Sequence, residues 1–441
     1  MSARAAALVA WLLLPTAAAS QEVPARRITA APDRRVELDF QHYYAGGELR
    51  AALESLAAAY PEFLRLESIG KSRGGSELWL MSAAAAGGRE PGRRPGLLVV
   101  GSLAEDDAHG AELALYTLLD LVQNHARDPE VARVLAETTL YVVPCLNPDL
   151  RRRLLEPAEP SAAAEPLGGG PVDLSRNFPI GWDPYELGAA GGPYPLCEPE
   201  TRALAEFLLA HPNVAAVQVY ARSSRERSAA TLPPADVAAM RAVAELPAGE
   251  RALWSCADSP ERGGGLLEFA YRQLGAFGFE ARGAASRSAT EGGVLPEVLD
   301  LFQLARSASL ATQGLARSLP RLSLASPQVQ RLRSDVWQVD VAVENAGGLP
   351  SLSAVGAQRR AAPPPRLRTA GAKVLAAALQ APGADAFEVA GRSLDDLSLR
   401  DLAPGERLVV RLVVQAPPDT SLNLELSSPR AGWAAAAIPL R

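Results

Sequence analysis

Residues 97–124 read LLVVGSLAEDDAHGAELALYTLLDLVQN, and residues 140–143 read LYVV. The two short runs at 97–100 and 140–143 are apolar throughout, which is typical of strands that helices cover on both faces of a sheet. Residues 110–124, between them, have the length and apolar spacing of a helix. A strand, a helix and a second strand in this order predict parallel strands joined by a crossover connection.

The same alternation of helices and strands extends on both sides of this unit. Helices are predicted near 48–59, 201–210, 266–274 and 296–317, and strands near 64–69, 77–83, 214–220 and 277–281. Pro296 would stand in the first turn of the last helix, where a missing backbone N–H costs nothing. The sequence therefore predicts an α/β domain over residues 39–318, with a mostly parallel or mixed sheet covered by helices.

After Pro320 the sequence changes to a period of two. Trp337, Val339, Val341 and Val343 alternate with other residues, and 407–415 and 421–427 have a similar pattern. This spacing is typical of half-buried strands. Residues 325–441 are therefore predicted to form a small antiparallel β-sandwich of the immunoglobulin-like kind.

Bulk composition suits a folded chain of 441 residues, a length that usually exceeds one domain. Hydrophobic residues make up 48% of the chain and charged residues 21%. The net charge of -6 gives no basis for expecting nucleic acid as a partner. Three cysteines, Cys145, Cys197 and Cys256, allow at most one internal disulfide, and the sequence leaves its pairing open.

The first twenty residues predict a signal peptide. Arg4 precedes an apolar run over 5–14, and small residues follow at 17–20. We therefore expect export to the periplasm, the medium or the cell surface, with residues 21–38 as a lead-in segment. No later apolar run is long enough for a membrane span.

Three strings within residues 39–318 carry a resemblance. They are Asn147-Pro148-Asp149, then VDLSRNFP at 172–179, then GPYP at 192–195 followed by EPETR at 198–202. In order and spacing they resemble the zinc carboxypeptidases related to pancreatic carboxypeptidase. The resemblance covers roughly residues 40 to 318, and the second string is its most specific part. It implies the fold of that family and, in an intact member, a zinc-dependent peptidase.

The resemblance implies a zinc site made of an H-x-x-E segment after one strand and a second His downstream. Two imidazoles and a carboxylate leave one position for water, whose pKa the metal lowers. An ungapped match places Ala104 and Asp107 at the first two positions and Tyr220, or the adjacent Ala221, at the third. Since alanine has no donor atom, this match predicts that no metal is held.

Residues 109–112, HGAE, offer a competing register in which His109 and Glu112 are alternative zinc ligands. A third ligand is still missing. If neither residue binds metal, both are expected in the exposed first turn of a helix, where the helix dipole favours Glu112. The remaining histidines are expected at the surface: His42, His125 and His211.

The residue that the family uses as its general base is replaced here, whereas two of its substrate-binding residues are kept. Arg282 stands where the family has its general-base Glu, and arginine does not act as a base at physiological pH. Glu280, two residues earlier on the same strand face, is a weak substitute. Arg176 and Asn177 remain where the resemblance implies a grip on the terminal carboxylate; the alternative is that Arg176 forms an internal ion pair. Residues 257–260 lack the tyrosine that the family places there.

These losses favour a pseudoenzyme with no cofactor expected. The leading hypothesis is an exported carboxypeptidase-fold protein that serves as a scaffold or binds peptide or protein C-termini. One alternative is an active zinc metallocarboxypeptidase that uses His109 and Glu112. Another is a structural surface protein in which the β-sandwich mediates attachment.

Overall fold

The computed structural model describes residues 31–87, 89–104, 109–156, 172–221, 232–244, 253–256, 264–282, 298–390 and 393–441. Four of the sequence predictions concern residues outside these ranges. They are the signal peptide at 1–20, Asp107, the segment 257–260 and Pro296.

The helices lie mainly in the first three quarters of the chain. They are α1 (Gly46–Ala59), α2 (Gly110–Asn124), α3 (Pro129–Glu137), α4 (Pro148–Leu155), α5 (Pro184–Leu187), α6 (Pro199–Ala210), α7 (Pro234–Ala244), α8 (Leu266–Leu274), α9 (Val298–Ser318) and α10 (Ala354–Arg359). No helix among the described residues has the length and apolar character needed to cross a membrane.

Among the described residues of the first domain, seven strands form one sheet. They are β1 (Leu64–Lys71), β2 (Glu77–Ala83), β3 (Gly96–Val100), β4 (Thr139–Val143), β5 (Val214–Ala221), β6 (Leu253–Cys256) and β7 (Phe277–Arg282), in the order β1-β2-β4-β3-β5-β7-β6. Strands β4, β3, β5 and β7 run parallel, whereas β1, β2 and β6 join antiparallel at the two sides. The predicted α/β fold with a mixed sheet and covering helices is confirmed.

The sheet is buried because its central strands are apolar on both faces. Every residue of β3 and β4 is buried, as their continuous apolar runs predicted. Helix α1 presents Leu49, Leu53 and Leu56 to the same core, a spacing of four and three residues that places them on one helix face.

The C-terminal part forms two antiparallel sheets. The strands are β8 (Leu322–Arg333), β9 (Val336–Asn345), β10 (Arg366–Ala370), β11 (Lys373–Gln380), β12 (Glu388–Val389), β13 (Asp396–Ser398), β14 (Arg407–Gln415), β15 (Ser421–Ser428) and β16 (Gly432–Pro439). Their sheet orders are β13-β10-β15-β16 and β12-β11-β14-β9-β8. Inward residues of both sheets, such as Trp337 on β9 and Leu424 on β15, share one core. The predicted C-terminal antiparallel sheets are confirmed.

Polar contacts join the two parts of the chain. The Asp236 carboxylate accepts the backbone N–H of Ala354, which opens α10, and the hydroxyl of Tyr271 at 2.5 Å. Arg430, which follows β15, donates to the carbonyl oxygens of Pro212 and Leu274. Burial lowers the pKa of Arg430 to about 10, so its guanidinium stays charged at neutral pH.

Candidate functional site

Four parallel strands bring the predicted site positions to one edge of the first sheet. Strands β4, β3, β5 and β7 all end there, and open α/β sheets bind ligands at the carboxyl ends of their strands. Tyr220 pairs with Ala281, and Ala221 pairs with Arg282. The backbone therefore places the predicted third zinc position and the predicted general-base position on adjacent strands.

Neither Ala104 nor Tyr220 offers a metal ligand at this edge. Ala104 lies in the bend after β3, and its methyl group carries no donor. Tyr220 is 2% exposed, and its hydroxyl lies 3.3 Å from the Thr117 hydroxyl on α2 and 3.5 Å from the Thr312 hydroxyl on α9. Its ring therefore extends into the helix layer.

The loop that follows β3 turns back onto the strand end. An added Cβ at Gly101 would lie 2.5 Å from the carbonyl oxygen of Gly110, so the two backbones touch. The Ser102 hydroxyl accepts the N–H of Ala111 and holds the first turn of α2 in place. Ser102 itself has a φ of 48°, an uncommon conformation for a residue other than glycine.

His109 and Glu112 are buried, and the expectation that they would lie in an exposed helix turn was wrong. His109 is 2% exposed and Glu112 is 0% exposed. The backbone of Tyr44, before α1, and Arg151 of α4 both contact Glu112, so these two segments cover the first turn of α2. The helix dipole alone does not account for Glu112 at such a site.

Glu112 belongs to a buried ion pair with Arg151 of α4. Its Oε1 contacts the Arg151 guanidinium and accepts the N–H of Tyr44 at 2.9 Å, while Arg151 donates to the Tyr44 carbonyl at 2.9 Å. Burial raises the pKa of Glu112, and the nearby positive charge of Arg151 opposes that shift. The pair ties α2, α4 and the backbone before α1 together.

Among the described residues, the side chains near this edge do not fit a zinc site. The described residues contain no group of three or more His, Cys, Asp or Glu side chains that could hold a metal ion. Glu112 Oε2 is buried without a hydrogen-bond donor, yet the same carboxylate already faces a guanidinium, which repels a dication. We therefore derive no chemistry through a metal.

Arg176 lies on a short 3-10 turn, residues 174–176, at the part of the chain with the most specific resemblance. Asp173 caps this turn by accepting the N–H of Ser175 at 3.0 Å. Arg176 Nε lies 3.3 Å from Asp173 Oδ2, and the Arg176 side chain keeps 30% of its surface exposed. The internal ion pair that the sequence offered as an alternative is present, and the Arg176 side chain is still partly exposed.

Gly264 holds the Arg176 turn from behind. Its N–H donates to Ile180, and its carbonyl accepts the N–H of Phe178 at 2.8 Å. Its φ is 84°, and a Cβ there would lie 2.2 Å from the Arg176 carbonyl oxygen. Only glycine permits this approach, because any side chain would displace the turn that carries Arg176.

Asn177 is buried, and its amide is used inside the protein. Its Nδ2 donates to the carbonyl oxygens of Gly191 and Tyr194, and its Oδ1 accepts the Thr201 hydroxyl at 2.8 Å and the N–H of Glu198. Asn177 therefore joins the Arg176 turn to the start of α6. Asn177 follows Arg176 directly in the sequence, but its side chain is buried whereas that of Arg176 is partly exposed.

The other candidate side chains lie apart from Arg176 in the contacts described. Glu280 is buried on β7, paired across the sheet with Val219 and Ser255, and the Arg282 side chain lies outside the description. His42 and His125 are partly exposed, and the Nδ1 of His125 contacts the Val122 carbonyl. His211 stacks on Phe207 with ring centroids 3.9 Å apart.

The strings that carry the resemblance have structural roles here. Asn147 caps α4 through the N–H of Leu150, and Asp149 accepts the N–H of Gly74 in the turn between β1 and β2. Glu198 receives two hydrogen bonds from Arg73 in the same turn, at 2.7 and 2.8 Å. These contacts give the strings a structural role that does not depend on a bound metal.

Sequence reasoning missed Arg151 and Tyr44. Arg151 is 4% exposed although it lies in the run Arg151-Arg152-Arg153, which by composition suggests a solvated surface. One feature of the sequence could have indicated that Arg151 is buried. It lies four positions after the capping residue Asn147, on a helix that follows a buried strand.

The fold and the arrangement at its edge define a carboxypeptidase-like α/β protein. Residues 49–226 match the family described as zinc carboxypeptidase, and residues 321–439 match a domain of unknown function. The resemblance to the zinc carboxypeptidases is therefore confirmed for the matched domain, residues 49–226.

Curated relatives and a solved structure agree with this assignment. Carboxypeptidase D of Mus musculus is 34% identical over 189 residues, covering 39% of this chain and 14% of that protein. Carboxypeptidase M of Mus musculus is 29% identical over 172 residues, covering 39% and 36%. The chain thus spans about a third of the length of carboxypeptidase M and about a seventh of the length of carboxypeptidase D. The crystal structure of thrombin activatable fibrinolysis inhibitor superposes with a TM-score of 0.50 at 17% identity, covering 63% of this chain and 74% of that one, which supports the fold.

Proposed function

We propose that this protein is exported and that its carboxypeptidase-fold part, residues 39–318, is a noncatalytic module that binds peptide C-termini through Arg176. The observation that carries the proposal is the contrast between two sets of positions. In the ungapped match, Ala104 and Tyr220 take the positions of zinc ligands, whereas the Arg176 side chain is 30% exposed on a turn against which Gly264 packs.

A guanidinium is suited to a terminal carboxylate because its N–H groups form a planar fork. Asp173 Oδ2 contacts Arg176 at Nε, 3.3 Å away, and the Arg176 side chain remains 30% exposed. Asn177 contributes by fixing the turn, not by touching the peptide, since its amide is occupied by the backbone and by Thr201. Binding without cleavage follows if no water-activating metal is present.

Calorimetric titration of the whole protein with a hexapeptide and with its C-terminally amidated form tests the grip. We expect the free acid to bind at least about tenfold more tightly, the effect of one hydrogen bond to a charged group. Arg176→Gln should remove the difference, and Arg202→Gln, an exposed arginine on α6, should retain it. Equal affinity for the acid and the amide would refute carboxylate recognition.

Metal analysis separates this proposal from an active zinc carboxypeptidase. Protein purified and dialysed in the presence of zinc should retain less than one equivalent, and His109→Ala should not change the amount. Stoichiometric zinc that disappears in His109→Ala would establish the alternative register. Cell fractionation with N-terminal sequencing of the mature protein tests export, and a cytosolic chain that begins at Met1 would contradict it.

A further inference from the structure

A second candidate site lies beside α1, away from the Arg176 turn. A cavity of about 340 Å³ opens between the first turn of α1, the start of β2 and helix α4, next to the end of β4. Its volume is in the range of small-molecule sites. Arg176 does not line it, so it is separate from the proposed peptide grip.

The cavity has an apolar wall and a cationic rim. Trp79, Leu53 and Leu155 contribute to the wall. Arg50 and Arg152 stand at the rim with 58% and 52% of their side chains exposed. The Arg50 guanidinium lies 5.6 Å from the Trp79 ring centroid, within the range of a cation–π contact.

Each rim arginine forms an ion pair in which the arginine itself stays exposed. Arg50 contacts Glu54 at 2.8 Å, and Arg152 contacts Asp149 at 3.3 Å. Exposed pairs of this kind contribute little, so an incoming anion can share the guanidinium groups. The lining also includes Glu77 and Glu156, and Glu77 is already engaged by Ser68 at 2.6 Å and by Lys71 at 3.2 Å.

Two glycines line the cavity at the start of α1. Gly46 and Gly47 begin α1 and line the cavity, and an added Cβ at either would meet nothing within 4 Å. Neither has a positive φ, so neither packing nor backbone conformation requires glycine here. Alanine would favour the helix. The N–H groups of the first turn of α1 add positive potential on the same side, and the Glu48 carboxylate in that turn accepts the N–H of Ala45 at 3.0 Å.

We propose that this cavity binds a small organic anion with an apolar body, such as an aryl carboxylate. The body would pack on Trp79 and the leucines, and the carboxylate would face Arg50, Arg152 and the first turn of α1. This site does not depend on peptide recognition at Arg176, and the two proposals can fail separately.

Calorimetry of the whole protein with 1-naphthylacetate and its neutral amide tests the site. We expect saturable one-to-one binding of the acid and at least about tenfold weaker binding of the amide. Gly47→Leu projects a side chain into the cavity and should abolish binding, whereas Gly47→Ala should retain it. Arg152→Gln should weaken binding of the acid, and the neighbouring Arg153→Gln, which does not line the cavity, should not.

Thermal unfolding of every variant shows whether the variant is folded, so that a loss of binding is not confused with a loss of structure. Gly47→Ala should melt no lower than the parent protein, because alanine is the better helix former. The proposal is overturned if neither probe binds, if the amide binds as tightly as the acid, or if a folded Gly47→Leu variant binds unchanged. Arg176→Gln should leave naphthylacetate affinity as it is.

Discussion

The ion pair between Arg151 and Glu112 offers a sharp test of the structural account. Arg151→Met removes the charge that compensates a carboxylate with 0% exposure and also removes a hydrogen bond to the Tyr44 carbonyl. Breaking one partner of a buried pair typically costs about 3–5 kcal/mol. Because Glu112 can take up a proton instead, we expect a loss of about 3 kcal/mol in the free energy of unfolding at pH 7.5.

Urea unfolding followed by circular dichroism measures this loss. The control is Arg152→Met, the same substitution one residue later at a side chain that is 52% exposed, and it should change the free energy of unfolding by less than about 0.5 kcal/mol. Combining Arg151→Met with Glu112→Gln should recover roughly 2 kcal/mol, since no unpaired charge then remains buried.

The loss should depend on pH in a defined direction. Without Arg151, the pKa of Glu112 in the folded state rises further above its value in the unfolded chain. A carboxyl with a raised folded pKa contributes stability at low pH that disappears as pH rises through that pKa. The variant should therefore be less destabilised at pH 5 than at pH 7.5. A loss below about 1 kcal/mol at pH 7.5, or a larger loss at pH 5, would contradict the buried pair.

Three further predictions follow from individual contacts. Gly264→Ala should lower the melting temperature and weaken binding of free-acid peptides, because its Cβ would collide with the Arg176 carbonyl; calorimetry and thermal unfolding measure both. Asn177→Ala should cost about 2–3 kcal/mol in urea unfolding by leaving the Thr201 hydroxyl and two carbonyls unpaired, whereas Arg176→Ala should cost less than about 1 kcal/mol. Asp236→Ala should cost about 2 kcal/mol and Asp236→Asn less, since the amide can still accept one of the hydrogen bonds that join the two parts of the chain.

Most of the fold could be predicted from the sequence because its strands are marked by local patterns. The apolar runs at 97–100 and 140–143 predicted β3 and β4 to within a residue, since a strand buried on both faces favours apolar side chains along its whole length. Helix α3 was not predicted, although Asp128 and Pro129 form an ordinary helix start. The short 124–137 region simply lacked a long periodic segment.

The site was harder to predict because its partners are distant in sequence. Glu112 and Arg151 are 39 positions apart, and no periodicity links them. The orientation of Tyr220 depends on Thr117 and Thr312 on two different helices. By contrast, the ion pair of Arg176 with Asp173 lies within one turn, and the sequence raised it as an alternative. Local contacts could be foreseen, and long-range ones could not.

Leu349 belongs to the C-terminal part of the chain but packs in the core of the first sheet, and Asp236 closes the start of α10. A fragment that ends near Pro320 would therefore lack Leu349, which leaves part of the apolar core uncovered. The Asp236 carboxylate would also lose the N–H of Ala354 as its hydrogen-bond donor. Excised fragments would be expected to aggregate or to fold poorly. Binding studies on this protein accordingly require point variants of the intact chain. Loss of peptide binding in a truncated chain would carry no information about Arg176.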